Sequence, residues 1–391
     1  MLHALARTLV ARGHEVRVVC SRRSYDGGQR YPTWTVLDGV EVQRLRAFGF
    51  GRGPGRLLDY ASFYLLLIAA TMLRGVPPDL VLALSTPPYV GLVGSLLGRI
   101  RGAAHAHWVM DVYPDVLVAH GMARSRGARR ALAALTRAQL RGAAGVVALG
   151  PCMMERLKPY VHGVPLEWVP LWGEGRPGAV APDAVARLRA ARGWGTDDLV
   201  LMYSGNMGLG HRFDELLEAA RRLGKTGPLW AFVGGGCRRG QIERFARDHQ
   251  DTRLQMLPYV PQQQVAESLS AGDVHLVSLR AAWQGLIVPS KVQAVFSVGR
   301  PVIFVGPRAN EAARWIEASG GGWLVSEDDV DGLLAAVASA RDAGERRRRG
   351  QAALAFAREH FDEDRNCARI AGFLEGAVGA APARAAAGQA C

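Results

Sequence analysis

The chain has 391 residues, more than the roughly 100 to 200 usual for one domain, so two similar-sized domains with separate cores are expected. Hydrophobic residues make up 49% and charged residues 21%, with no polar low-complexity block in the interior, which excludes disordered and fibrous classes. Against 35 acidic residues stand 48 basic ones, a net charge of +13 that favours phosphate-bearing partners. All but Lys158, Lys225 and Lys291 of these are arginines, scattered without a basic-aromatic cluster, so nucleic acid is set aside.

The first apolar helical pattern, residues 2–12, stops at Gly13 and runs into a strand-like segment, 15–20. After a Gly-rich, arginine-dotted loop come strand 40–45, helix 57–73, strand 80–84, helix 89–100, strand 104–110, helix 128–140, strand 145–149 and helix 151–157. Prolines and glycines from Pro165 to Pro182 mark an interdomain connection. The alternation then restarts with strand 199–203, helix 213–223, strand 229–233 and helix 241–248, and continues through 254–257, 265–270, 274–278, 292–298, 302–305 and 310–318. Such a rhythm predicts an α/β chain of two doubly wound, Rossmann-like domains, residues 1–170 and 171–360, followed by a helix over 361–376 that packs back on the N-terminal domain. From 377 to 391 an Ala, Gly and Arg tail lacks apolar periodicity and is expected to be disordered.

The five cysteines are odd in number and far apart, against a disulfide framework or a CxxC metal site, and fit a reducing cytoplasm. Nothing at Met1 resembles a signal peptide. The longest apolar stretch, residues 60–73, is shorter than the roughly 20 residues needed to span a bilayer. Flanked by Arg56 and Arg74, it is read as a core helix, with a membrane-surface helix as the alternative.

In a doubly wound sheet the ligand lies beyond the carboxyl ends of the strands, so the strand-to-helix loops carry the chemistry. Tyr203-Ser204-Gly205-Asn206-Met207-Gly208-Leu209-Gly210-His211-Arg212 follows a strand and opens a helix; its glycines let backbone N–H groups approach a phosphate, and Arg212 adds a full charge. Gly234-Gly235-Gly236 brings bare backbone to the same edge, for ligand contact or for close packing of the loop. Gly285-Leu286-Ile287-Val288-Pro289-Ser290-Lys291 leads into a helix that ends before Gly299, with Pro289 suited to its start and Ser290 to its cap. A lysine at that start gains nothing from the helix dipole, so an anion is the natural reason for Lys291. Asp-x-Asp pairs at Asp329/Asp331 and Asp362/Asp364 lie in acidic helical surroundings and are read as solvated surface.

YSGNMG followed by His211, FVGGG, GDVHLV at 272–277, GLIVPSK and GRPVIFVGP at 299–307 together resemble the nucleotide-sugar half of a family 4 glycosyltransferase, of the colanic-acid-biosynthesis type. RGHEVRVV at 12–19, PDLVLALSTPP at 78–88, MDVYPD at 110–115 and GVVALGPCMMERL at 145–157 are similar to that family's acceptor half, and the likeness runs from residue 1 to about 375. The resemblance implies the GT-B fold, donor binding by the C-terminal domain, reaction in the interdomain cleft with retention of anomeric configuration, and no cofactor or essential metal. On that reading Arg212, Lys291 and two helix N-termini stabilise the departing diphosphate. Gly205, Asn206, Gly208, His211, Gly234, Gly235, Gly285, Leu286, Ile287 and Ser290 bind the nucleoside diphosphate sugar. Asp111 is the polar group expected to face the reacting sugar or acceptor hydroxyl, with an N-cap role as alternative. His105 and His107 are read as satisfied core or edge histidines.

Two family positions differ here: Ala294 stands where many members carry a ribose-binding glutamate, and Asn206 where an arginine is common. A strand and a Gly-Gly loop are expected before the first helix, whereas Met1 falls within it, so a sheet edge is expected to be left unpaired. The resulting reading is a cytoplasmic glycosyltransferase, at the inner face of the plasma membrane, moving a hexose-type sugar to a glycan or lipid-linked acceptor in cell-surface or exopolysaccharide synthesis. The alternatives are a nucleotide-sugar epimerase on the same fold and an inactive, N-terminally truncated transferase.

Overall fold

A computed structural model describes residues 1–23, 30–49, 55–73, 77–173, 178 and 180–380. The chain divides into two compact units, one of Met1–Leu149, Met154–Val169 and the segment from Asp364, the other of Gly150–Met153 and Pro170–Glu363.

The first unit runs α1 (Leu2–Ala11), β1 (Arg17–Ser21), β2 (Trp34–Leu37), β3 (Val40–Leu45), α2 (Gly55–Met72), β4 (Leu80–Leu84), α3 (Gly91–Arg101), β5 (Ala104–Trp108), α4 (Asp115–Ala119), α5 (Arg126–Leu140), β6 (Gly145–Ala148), α6 (Pro151–Leu157) and β7 (Leu166–Trp168). Its strands form two sheets, β1-β3-β2 and β4-β5-β6-β7. All pair in parallel except β2, which returns antiparallel along β3. Among the described residues β1 pairs only with β3 and β4 only with β5, so each sheet has an unpaired edge there. Val19, Leu45, Phe63, Leu67, Val81 and Leu97 nonetheless share one apolar layer.

The second unit runs α7 (Pro182–Ala191), β8 (Val200–Ser204), α8 (Asp214–Leu223), β9 (Leu229–Val233), α9 (Arg239–Asp248), β10 (Leu254–Leu257), α10 (Val265–Ser270), β11 (Val274–Ser278), α11 (Lys291–Ser297), β12 (Val302–Val305), α12 (Glu311–Ser319), β13 (Gly322–Val325), α13 (Val330–Ser339) and α14 (Ala343–His360). Its one sheet is parallel throughout, in the order β10-β9-β8-β11-β12-β13. The strands are buried on both faces and therefore read as continuous apolar runs. Tyr203, Phe213, Phe232 and Trp230 are fully buried in the larger core, where Phe213 stands edge-on to Tyr203 at 4.9 Å.

A last helix, α15 (Glu363–Ala380), belongs to the first unit. Phe373 packs so closely on Gly145 that a Cβ there would lie 2.6 Å from its ring. Glu375 pairs with Arg12 at 2.5 Å and His14 at 2.9 Å, and Arg369 pairs with Glu167 at 3.0 Å. The tail expected from 377 is corrected for 377–380: alanine favours the helix, and Ala377 is buried. Residues 381–391 lie outside the described residues. The connection read over 165–182 also holds structure, namely β7 and the first residue of α7, Pro182, which suits a helix start.

Candidate functional site

In the second unit the chain runs from β8 outward through β9 and β10, then crosses back to β11 and continues through β12 and β13 on the other side. The order reverses between β8 and β11, and in open α/β sheets ligands bind at such a point, beyond the carboxyl ends of the strands. The segments that leave β8, β9 and β11 carry all the second-unit residues singled out in the sequence.

Lys291 and His211 meet there. Lys291 Nζ lies 3.2 Å from His211 Nε2, 3.5 Å from the Asn206 carbonyl and 4.7 Å from the centre of the Tyr203 ring. Ser278 O lies 2.6 Å from His211 Nδ1. A carbonyl only accepts, so Nδ1 carries the proton and the Nε2 lone pair faces the lysine. Burial, reinforced by Lys291 and Arg238, pulls the buried His211 down to about 3, so the ring is neutral. Burial also pulls Lys291 down to about 7. Among the described residues no carboxylate lies within ion-pair distance of it, so its charge has no counter-ion there. The Asn206 carbonyl further accepts from the Tyr203 hydroxyl at 2.8 Å, which fixes the loop.

Arg212 has partners that the sequence did not reveal. Its guanidinium pairs with Glu215 at 2.7 Å, with Glu327 at 3.7 Å and with Asp328. Glu215 is 2% exposed and also accepts from the Asp328 N–H at 2.9 Å. A guanidinium facing three carboxylates is already compensated and locks the start of α8 to the segment before α13. The positive end of α8 likewise faces its own Asp214 and Glu215.

The glycines fit loop onto loop. Gly205, Gly234 and Gly236 have φ of +122°, +123° and +131°, where an L side chain is strained. A Cβ on Gly205 would come 2.9 Å from Lys291 Cε, one on Gly234 would strike the Gly205 carbonyl, and one on Gly236 would lie 2.7 Å from Met207 N. Met207 N–H donates to Gly235 O at 2.6 Å and Arg238 N–H to Met207 O at 3.0 Å. Close packing of the loop, one of the two uses open for Gly234 and Gly235, is present. Gly208 lies over Asn206, and Gly210 leaves room for the Trp283 ring and the Ile287 side chain.

Within the segment before α11, Gly285 turns the chain at φ +71° and Leu286 is buried at 3% exposure, a packing position. Ser290 is exposed and stands at the N-cap without a side-chain cap hydrogen bond, because its backbone is already helical; the expected cap is corrected. The Asp-x-Asp pair at 329/331 is accounted for by structure, since Asp329 caps α13 by accepting from Gly332 N–H at 2.8 Å and exposed Asp331 pairs with Arg222 at 2.8 Å.

In the first unit Asp111 lines a small recess with Ser85, Tyr89, His107, Tyr113, Thr136 and Gln139. Burial pushes its carboxyl up, and no hydrogen-bond or ion-pair partner reaches that carboxyl among the described residues. The N-cap alternative fails, because α4 begins at Asp115 behind Pro114. Tyr89 holds a left-handed φ of +65° and sets its ring 6.0 Å from that of Tyr113. His105 and His107 are buried and partnered, His107 Nε2 donating to Gln139 O at 3.0 Å and His105 Nε2 lying 3.2 Å from Ser95 Oγ. Arg238, Ser278, Ser85 and Gln139 were not singled out in the sequence. Arg238 alone carried a signal, a cation at a helix start like Lys291.

Among the described residues no group of three His, Cys, Asp or Glu side chains could hold a metal ion, and no helix is long and apolar enough to cross a membrane. Residues 1–172 match the glycosyl transferase 4-like domain. WcaI of Escherichia coli (strain K12), a colanic acid biosynthesis glycosyl transferase by name, is 26% identical over 349 residues, 85% of each chain. The probable glycosyltransferase WbjE of Pseudomonas aeruginosa is 26% identical over 253 residues, 64% of this chain and 63% of its own. Among solved structures, sucrose-phosphate synthase from Thermosynechococcus elongatus superposes with a TM-score of 0.77 at 18% identity, over 96% of this chain and 92% of its own. With both units built as Rossmann-like α/β domains, the chain has the GT-B fold, and its first 172 residues carry the glycosyl transferase 4-like domain.

Proposed function

We propose that the protein transfers a sugar, with retention of anomeric configuration, from a nucleoside diphosphate sugar to a glycan or lipid-linked acceptor in polysaccharide synthesis at the inner face of the plasma membrane. The observation that carries this reading is the half-buried Lys291 ammonium at the β8/β11 crossover, held by neutral acceptors and without a carboxylate partner among the described residues. A diphosphate supplies the missing charge, and it is also where negative charge grows as the sugar-phosphate bond breaks. The unpartnered Asp111 carboxyl in an aromatic-walled recess suits an acceptor hydroxyl. The colanic-acid name of WcaI supports the pathway class, and a neighbour solved with UDP-glucose, HepE of Anabaena (TM-score 0.67, 15% identity, 87% of each chain), supports a nucleotide-sugar donor.

The membrane call draws support from α2. Phe63 and Leu67 face the core, as the core reading of this stretch expects, while Leu57, Leu58, Leu65 and Leu66 are exposed. Arg101 closes the end of that helix by donating to Met72 O at 2.8 Å. Arg74 and the Arg56 side chain lie outside the described residues.

Release of nucleoside diphosphate from UDP- and GDP-sugars should be measured in the native chain and in Lys291→Ala. The proposal expects release that the variant loses by about 100-fold or more, as for removal of a transition-state charge donor. Isomerised sugar without acceptor, or equal release by both chains, would refute it.

A further inference from the structure

With Arg212 compensated by carboxylates, the donor diphosphate, a minimum of two negative charges, would face Lys291 alone. We propose that Arg238 is the second cation of the site and grips the diphosphate beside Lys291; this inference rests on the nucleoside-diphosphate reading above. Arg238 sits at the N-cap of α9, directly after the Gly234–Gly236 turn. Its N–H donates to Met207 O at 3.0 Å, which ties it to the loop leaving β8. Its charge is felt at His211, whose Nε2 lies 3.2 Å from Lys291 Nζ.

The state of its guanidinium sets it apart from its neighbours. Arg239 spends its charge on Glu243 at 2.6 Å and donates to Gly234 O at 2.5 Å. Among the described residues Arg238 reaches only a neutral side chain, donating through Nη1 to Gln241 Oε1 at 3.1 Å, and its Nε is buried without a partner there. Gln241 is itself oriented, because its amide donates to Asp214 at 2.7 Å and so presents the oxygen to Arg238. The first turn of α9 has no acidic residue to offset a cation at the positive end of the helix dipole. Two cations, Arg238 and Lys291, thus stand at the starts of two helices, each without a counter-ion, around one loop. An oxyanion with several acceptor oxygens relieves both, and the guanidinium fork matches two phosphate oxygens where the ammonium is a point charge.

The test is calorimetric titration of the full chain with UDP, GDP and uridine, comparing native protein, Arg238→Gln, Arg238→Lys and Arg280→Gln, with thermal midpoints as the folding check. The inference expects Arg238→Gln to weaken binding of the nucleoside diphosphate at least 10-fold, Arg238→Lys to recover part of that loss, and uridine binding to be unchanged. Affinity within twofold of native in Arg238→Gln overturns the inference and leaves the donor reading standing. So does a loss confined to Arg280→Gln, which would give the role to the arginine that follows β11. Binding of neither UDP nor GDP by the native chain overturns both. If Arg238→Gln fails to fold, Arg238→Lys alone decides, since native-like affinity for UDP would remove the need for the fork.

Discussion

Lys291 shows how one side chain can be unfavourable to the empty fold and useful to the loaded one. Its ammonium is pulled to about 7 by burial, well below the usual lysine range, so above that pH the empty site holds mostly the neutral amine. Because the folded value lies below the unfolded one, the unfolded chain binds more protons between the two, and the stability cost of this lysine is present below pH 7 and fades as pH rises. A bound diphosphate reverses the local field and raises the lysine again. Binding at pH 8 should therefore take up close to one proton and binding at pH 5.5 almost none, and affinity for UDP should fall by up to about tenfold per pH unit above 7. Calorimetry in buffers of different ionisation enthalpy reads the uptake directly. A pH-independent affinity from 6 to 9 would mean that Lys291 does not face the anion. His211 cannot supply this dependence, since burial holds it near 3 and hence neutral throughout the range. At this scale the sequence drew attention to Lys291 through helix-dipole logic but did not show the carboxylates around Arg212. The pairing to Glu215 is an i,i+3 contact open to inspection, but Glu327 and Asp328 are brought to Arg212 only by the fold.

At the scale of elements, α2 is an 18-residue helix with two apolar sides rather than one. A helix whose outward face carries Leu57 at 71%, Leu58 at 55% and Leu65 at 71% exposure needs something apolar to cover it. Under the proposed membrane role, Leu58→Gln together with Leu65→Gln should lower partitioning to vesicles containing anionic phosphatidylglycerol by at least about tenfold, because each leucine forfeits roughly 1 kcal/mol or more of apolar burial. Turnover on a soluble acceptor should be unchanged. Equal co-sedimentation of variant and native chain would remove the membrane call. The elements of the second unit were the most legible, because parallel strands buried on both faces give unbroken apolar runs that period and length arbitrate. The strands missed, β2, β7 and β13, have four, three and four residues, and none is buried throughout. The glycine-rich loops were legible as sites of close backbone approach, but what approaches is another loop: Gly205, Gly234 and Gly236 are required by Lys291, the Gly205 carbonyl and Met207.

For the whole molecule the account divides labour between the two units. Everything assigned to the donor lies in the second unit, whereas Asp111 and its recess lie in the first. Asp111→Asn should therefore lower kcat by about 100-fold, as for loss of a positioned acid or base, while leaving the Kd for UDP within twofold. A parallel loss of both would tie Asp111 to donor binding instead. The division could be expected from the restart of the strand-helix rhythm after Pro182, but the split of the first unit's strands into two sheets was not specified by any local pattern. The central claim is that a diphosphate sits over the loop leaving β8, against Lys291. A crystal structure of the chain with a bound UDP-sugar tests it most directly. The account predicts a phosphate oxygen within about 3 Å of Lys291 Nζ, and a diphosphate bound elsewhere, with Lys291 still turned to His211 and Asn206 alone, would contradict it.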